Sequence, residues 1–183
     1  MVIIQLKDIF HTKQELSFEN AISAFTCKDR EVELFLKNKS IQFEKRNKSR
    51  TYLIMSEEQL YNGNFVILAY FTLSLKALSF RDNLSNTKKK EIDGFSKNVQ
   101  AVATILIGQF GKDLINAKDI SGQNLFKLCL RTVYEIHNLI GSRIVLLECQ
   151  DIEKIKSFYT QNDFYVLQYD ENDKYLQMVK ALP

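Results

Sequence analysis

The sequence predicts a mixed α/β or α+β domain and not an all-β one. Stretches with a helical period alternate with short β-branched, apolar runs. The only proline is the C-terminal Pro183, and 45% of the 183 residues are hydrophobic, enough to build a core. Neither a repeat nor a low-complexity linker interrupts the chain, so one domain spanning 1–183 is expected, with a polar insertion around 79–98.

Between Asp29 and about Asn47, Val32, Phe35, Leu36 and Phe43 fall near one helical face, which predicts an amphipathic first helix. TYLIM (51–55) and FVILAYFTLSL (65–75) follow as strands. Asn62-Gly63 between them suits the positive-φ positions of a tight hairpin turn, so the two runs are expected to be antiparallel neighbours. The segment from Ser79 to Asn98 carries Lys88, Lys89 and Lys90 and the Asp93-Gly94 turn signal; it fits a short helix or a surface excursion. VQAVATILIGQF then resumes the sheet pattern.

From Gly122 to Ile140, Leu125, Phe126, Cys129, Val133, Ile136 and Ile140 recur at spacings of three and four, and Gly141 is placed to end that helix. RIVLLEC (143–149) reads as a buried strand. DIEKIKSFYTQN reads as a short helix with Ile152, Ile155, Phe158 and Tyr159 on one face and Asp151 placed to cap it. FYVLQY and KYLQMV around DEND close the chain as a hairpin.

Composition excludes several classes. MVIIQLKDIF turns charged at Lys7 and Asp8, which leaves no room for a signal-peptide core or a membrane span, so the cytoplasm is the expected location. Cys27, Cys129 and Cys149 are an odd set without a CxxC pair, which argues for reduced, mostly buried thiols and against a disulfide framework or structural zinc. A net charge of +3 does not itself indicate nucleic acid, although KRNKSR (45–50) and KKK (88–90) concentrate basic residues.

GQFGK (108–112) superficially suggests a P-loop. A Walker A loop needs four residues between its glycine and the GK pair, then Ser or Thr for magnesium; here two intervene and Asp113 follows. Gly122 stands alone without a GxGxxG pattern, so a dinucleotide fold is not indicated either. The turn into the helix at Gly122 keeps one physical property, an array of backbone N–H groups suited to an anion, but as a bare pattern it is more simply an ordinary βα turn. His11 and His137 have no metal-ligand spacing, and no GxSxG elbow is present, so no metal is expected. Cys149 at a strand end lacks an identifiable basic partner. Tyr159, with a phenol whose ordinary pKa is about 10, stays protonated at neutral pH and can deliver a proton to a thiolate; on the residues alone it is more simply a core aromatic beside Phe158.

The order of strand, turn, long helix, strand, short helix with FY and closing hairpin resembles the GNAT superfamily of acyl-CoA-dependent N-acyltransferases. The residues carrying the likeness are LIGQFGKD leading into ISGQNLF, then IVLLEC, then IKSFYTQNDF, which resembles the family's A-x-x-F-Y-x-x-x-G-F. The N-terminal half resembles the acetyltransferase-toxin branch: FTCKDREVELFL (25–36) is similar to its F-x-C-x-x-x-x-L-x-x-F-L pattern, and TYL and AYFTLSLKAL to its TYV and GYYTLS strands.

That resemblance implies a mostly antiparallel central sheet with two parallel central strands splayed apart and helices on both faces. It implies acetyl-CoA as cosubstrate, with the backbone of Gln109, Phe110, Gly111 and Lys112 facing the pantetheine arm and the N–H groups of Ser121, Gly122, Gln123 and Asn124 holding the pyrophosphate. The family's Q/R-x-x-G-x-G/A loop falls on Ala117 to Gly122, where only Gly122 matches. Tyr159 matches the tyrosine that protonates the departing thiolate. Asp163 replaces the usual glycine before Phe164, and Ile152 stands where many members have asparagine.

The implied activity is direct transfer of an acetyl group to a primary amine, with Glu148 a conceivable general base. The alternatives are a toxin-like enzyme acetylating aminoacyl-tRNA, contacted by Lys45, Arg46, Lys48, Arg50 and Lys88 to Lys90, or a non-catalytic module that senses CoA or binds protein. The partners this admits are an amine-bearing acceptor of open identity, tRNA, an antitoxin protein and a second copy of the chain in a homodimer, with no membrane.

Overall fold

The computed structural model describes residues 1–10 and 15–183; His11 lies outside the described residues. The strands are β1 (Val2–Gln5), β2 (Arg50–Met55), β3 (Ile67–Ser79), β4 (Ala101–Lys112), β5 (Ile144–Cys149), β6 (Tyr165–Tyr169) and β7 (Leu176–Ala181). The helices are α1 (Glu15–Ala24), α2 (Arg30–Asn38), α3 (Ser40–Lys45), α4 (Glu57–Tyr61), α5 (Asn86–Asp93), α6 (Gly122–Ile140) and α7 (Glu153–Thr160). The strands form one seven-stranded sheet in the order β1-β2-β3-β4-β5-β7-β6. β4 and β5 pair in parallel, while β1–β2, β2–β3, β5–β7 and β6–β7 pair antiparallel.

The chain divides into two compact units, Met1–Ser74 with Gln109–Leu130 and Leu75–Gly108 with Arg131–Pro183. The first unit's core gathers Leu6, Ile9, Phe18, Ile22, Phe25, Leu36, Leu53, Met55, Ile67 and Tyr70. In it, Asp29 caps α2 by accepting the N–H of Glu31 and Val32 at 2.9 and 3.3 Å. The single helix expected over 29–47 is two, because Lys39 leaves helical geometry at φ −123° and the Ser40 hydroxyl donates back to the Leu36 carbonyl at 2.5 Å.

The tight hairpin expected at Asn62-Gly63 is replaced by α4. Ser56 caps it through the Gln59 N–H at 3.4 Å, and Asn62 is its C-cap at φ −82°, so only Gly63 has positive φ. β2 and β3 nevertheless pair antiparallel, with Leu53 opposite Tyr70.

The second unit centres on Leu78, Phe80, Ile92, Ile144, Leu146 and Val179. The polar segment contains α5, capped by Ser85 and ended by Gly94 in the left-handed region at φ 86°. β5 is buried along nearly its whole length. Cys129 and Cys149 are buried and Cys27 half-buried, all as free thiols. No helix among the described residues is long and apolar enough to cross a membrane.

Candidate functional site

β4 is the element on which the first unit's candidate residues sit, and its side chains alternate between two environments as strand geometry requires. Phe110 lies on the α6 side, with its ring edge-on to Phe126 at 5.0 Å. Gly111 points the other way. A Cβ there would lie 2.6 Å from Val32 Cγ1, 3.2 Å from Tyr70 Cε1 and 3.4 Å from Cys27 Sγ. Gly111 is therefore glycine because α2 packs directly against the strand. Gln109, two residues earlier, shares this face, and its side-chain oxygen is buried without a hydrogen-bond donor among the described residues.

The end of β4 is organised by Asp113, which is fully buried. One carboxylate oxygen accepts the Thr26 N–H at 2.8 Å; the other accepts the N–H groups of Ile115 and Asn116 at 2.9 and 2.6 Å. The Asp113 N–H donates to the Leu68 carbonyl, and the Leu114 N–H to the Thr26 carbonyl. The connection between α1 and α2 is thereby tied to the strand end. Glu33 continues the arrangement by accepting the Cys27 N–H at 3.1 Å, the contact that does most to hold its carboxyl below the usual range, and an ammonium N–H of Lys37 at 3.0 Å.

Between β4 and α6, the Lys112 ammonium donates to the carbonyls of Lys118 at 3.3 Å and Ile120 at 2.5 Å. It curls the loop back on the strand. Ser121 precedes α6 and its hydroxyl accepts the Gln123 N–H at 3.2 Å. Ser121 and Asn124 are exposed, Gly122 and Gln123 half-buried. The α6 N-terminus thus meets solvent with main-chain donors, the chemistry that suits a phosphate.

In the second unit, the parallel ladder is formed by Thr104–Ile107 against Ile144–Leu147. Glu148 follows immediately. Its Oε1 accepts from the Lys76 ammonium at 2.6 Å and the Gln177 amide at 2.8 Å. Gln177 Oε1 accepts from Gln168 at 2.8 Å, and Gln168 also donates to the Ser79 carbonyl and accepts the Arg81 N–H. Of these residues Lys76, Ser79, Arg81, Gln168 and Gln177 line a cavity of ≈ 280 Å³ beside the β6–β7 turn. Glu148 is thus a carboxylate engaged by two donors.

Tyr159 is half-buried near the end of α7. Its ring stands edge-on to Phe158 at 5.1 Å and to the buried Phe164 at 6.1 Å. The Tyr159 carbonyl accepts the N–H groups of Asn162 and Phe164 at 2.9 and 3.2 Å. Asp163 has φ 65°, which explains why glycine is usual at this place in the resembled motif. Lys180, almost wholly buried, donates to the Asn162 carbonyl at 3.0 Å and the Asp163 carboxylate at 2.8 Å. The lysine holds a turn that glycine would otherwise make. Ile152 is the N-cap residue of α7 and is exposed. Asp151 does not cap the helix: it takes the Tyr169 hydroxyl at 2.6 Å and the Lys156 ammonium at 2.7 Å.

The basic runs are partly consumed by folding. Arg50 pairs with the buried Glu44 at 2.9 Å, while Lys45 and Lys48 lie over the rings of Phe10 and Phe43. Lys88 pairs with Glu91 at 3.0 Å and covers Tyr165, and Lys89 is buried. Lys45, Arg46, Lys48 and Lys90 remain exposed. His137 Nδ1 lies 2.9 Å from the Ser142 carbonyl, a contact that ties off the C-terminus of α6. Among the described residues no group of three His, Cys, Asp or Glu side chains could hold a metal ion.

No protein-family model matches the sequence, and no curated protein matches it as a relative. Solved structures do match. A tyrosine-to-phenylalanine mutant of KacT superposes with TM-score 0.67 at 21% identity, covering 96% of this chain and 92% of that one. AtaT complexed with acetyl-methionyl-tRNAfMet matches with TM-score 0.66 at 19% identity over the same shares. A mutant AtaT toxin bound to the C-terminus of the antitoxin AtaR and acetyl-CoA matches with TM-score 0.64 at 17% identity, covering 98% and 92%. Likeness of this extent at such low identity is a statement about backbone architecture, and in that architecture the protein has the GNAT fold, shared with the KacT and AtaT structures.

Proposed function

We propose that the protein is a cytoplasmic acetyl-CoA-dependent N-acetyltransferase, one catalytic domain over 1–183 that moves an acetyl group to a primary amine by direct transfer. The observation that carries this reading is the match, over 98% of the chain, to a toxin structure that contains acetyl-CoA. The residues present suit that cosubstrate. β4 continues to Lys112 beyond its parallel ladder with β5, and at the α6 N-terminus Ser121 and Asn124 are exposed with Gly122 and Gln123 half-buried between them.

Acetyl-CoA supplies an activated thioester. In this reading the backbone of Gln109 to Lys112 binds the pantetheine arm, and the amides of Ser121, Gly122, Gln123 and Asn124 bind the pyrophosphate. Lys112 contributes through its side chain as well, because its ammonium sets the loop that leads into those amides. Tyr159 holds a proton at its phenol oxygen for the departing sulfur. Glu148, bound to Lys76 and Gln177, is left with an electrostatic role, and the proton shed by the amine goes to water.

For the acceptor we favour the α-amine of an aminoacyl-tRNA, with an antitoxin as protein partner. Among the matching structures are AtaT with acetyl-methionyl-tRNAfMet and AtaT with AtaR. The amine of an esterified amino acid is weakly basic, so the site needs no strong base. Lys45, Arg46, Lys48 and Lys90 are the exposed cations offered to phosphates. Calorimetry with acetyl-CoA tests the first reading: saturable binding is expected, and none at millimolar concentration overturns it. Acetylation of charged tRNAs, followed by mass spectrometry of the released amino acid, tests the second.

A further inference from the structure

We propose that Lys180 is a positioning residue for acetyl transfer: through the turn at Asn162 and Asp163 it fixes the ring of Tyr159, from which the proton is delivered to sulfur. This rests on the acetyltransferase reading with Tyr159 as its acid, and it adds a residue of β7 that the sequence pattern left unassigned. Every group involved belongs to the second unit.

α7 ends in a pair of backbone bonds that wrap its last turn. The Asp163 N–H donates to the Thr160 carbonyl at 3.0 Å and the Phe164 N–H to the Tyr159 carbonyl at 3.2 Å, the two bonds of a Schellman ending. The residue with left-handed backbone in that ending is Asp163, at φ 65°, and the apolar contact that accompanies it joins Tyr159 to Phe164, with ring centroids 6.1 Å apart. Where the Tyr159 ring stands is therefore tied to whether this turn keeps its shape. A left-handed conformation is unfavourable for a residue that carries a Cβ, so an aspartate there needs support from outside the turn.

Lys180 gives that support. Val179 belongs to the second unit's core, so Lys180, next along β7, leaves the strand on the opposite face. At 8% exposure, its ammonium donates to the Asn162 carbonyl at 3.0 Å and to the Asp163 carboxylate at 2.8 Å. Asn162 is held from other directions too, its N–H on the Tyr159 carbonyl at 2.9 Å and its side-chain amide on the Phe158 carbonyl at 2.8 Å. β7 lies between β5 and β6, so one side chain on an interior strand grips the two residues that close the last turn of α7. Stability alone does not call for a lysine here, since an apolar side chain of similar length serves a buried position about as well as an ion pair. Lys180 forms and breaks no covalent bond; it reaches the reaction only through Tyr159.

The test compares Lys180→Met, which keeps the length and removes the ammonium, with the double variant Lys180→Met, Asp163→Gly, in which glycine takes the left-handed conformation unaided. With methionyl-tRNA as acceptor, kcat is expected to fall roughly tenfold in Lys180→Met while KM for acetyl-CoA stays within about twofold, and the double variant to recover most of the loss. In a Tyr159→Phe background Lys180→Met is expected to cost nothing further, the result that separates positioning from general loosening. A second readout needs no turnover: the nuclear Overhauser contact between the Tyr159 and Phe164 rings should weaken in Lys180→Met and return in the double variant. Wild-type kcat or an undiminished ring contact in Lys180→Met, or a loss as large in the Tyr159→Phe background as outside it, overturns the inference and leaves the acetyltransferase reading standing. A wild-type protein that neither binds acetyl-CoA nor acetylates methionyl-tRNA removes both.

Discussion

Asp113 and Thr26 are 87 positions apart in the chain and are joined by a 2.8 Å hydrogen bond from the Thr26 N–H to the buried Asp113 carboxylate. This bond fastens the connection between α1 and α2 to the end of β4, beside the segment assigned to the cosubstrate. Replacing Asp113 with alanine leaves the N–H groups of Thr26, Ile115 and Asn116 without their acceptor. The expected loss is about 1–3 kcal/mol, seen as a fall of several degrees in Tm, with weaker acetyl-CoA binding because the loop before α6 starts from this residue. A stable Asp113→Ala protein with wild-type affinity would remove the aspartate from the site's construction.

Gly111→Ala should destabilise the protein by about 1–3 kcal/mol, since the added methyl would sit 2.6 Å from Val32 Cγ1. Cutting back the partner relieves the clash. The double variant Gly111→Ala, Val32→Ala is therefore expected to recover part of that loss in urea denaturation, a coupling that independent sites would not show.

Tyr159→Phe keeps the ring packed against Phe158 and Phe164 and deletes only the hydroxyl. Acetyl transfer should slow by about two orders of magnitude with unchanged affinity for acetyl-CoA. Equal rates in single-turnover assays would take the tyrosine out of the mechanism.

Stability should fall in acid. The carboxyls of Asp163, Asp151, Asp170 and Glu33 are all held below their ordinary pKa, chiefly by the Lys180 ammonium, the Lys156 ammonium, the Tyr175 N–H and the Cys27 N–H respectively. The folded state thus binds fewer protons than the unfolded chain near pH 4. The stabilisation these contacts give is complete above the ordinary carboxylate range and is lost as the pH drops through it. Urea midpoints from pH 7 down to pH 3 should decline, and Asp163→Asn should flatten part of that decline.

What was legible in the sequence was whatever depends on neighbours along the chain. The three-four spacing from Leu125 to Ile140 gives α6, Gly141 takes the positive φ of 77° expected of its position, and RIVLLEC is a buried strand. Locality also explains a miss that could have been avoided. SEEQ (56–59) is a capping-box pattern, and it outweighed the Asn-Gly turn signal three residues further on. Other features depend on distant partners and leave no local trace. Asp151 looks like a cap until Tyr169 and Lys156 claim it, and Asp113 looks like a failed P-loop position until Thr26 arrives. Asp163 looks like a broken motif until Lys180, 17 positions on, supports it.

The Lys112 ammonium, seated on the carbonyls of Lys118 and Ile120, has a consequence for how such proteins are found. A tight phosphate-facing loop is ordinarily recognised by its glycines, because small residues let the main chain turn sharply. Here a side chain holds the carbonyls, so the turn is made without a glycine at 117–121. A glycine-based signature passes over such a chain even where its backbone follows the same path. Looking instead for a lysine closing the strand, some six to eight residues ahead of the carbonyls it holds, would gather members that glycine spacing leaves out.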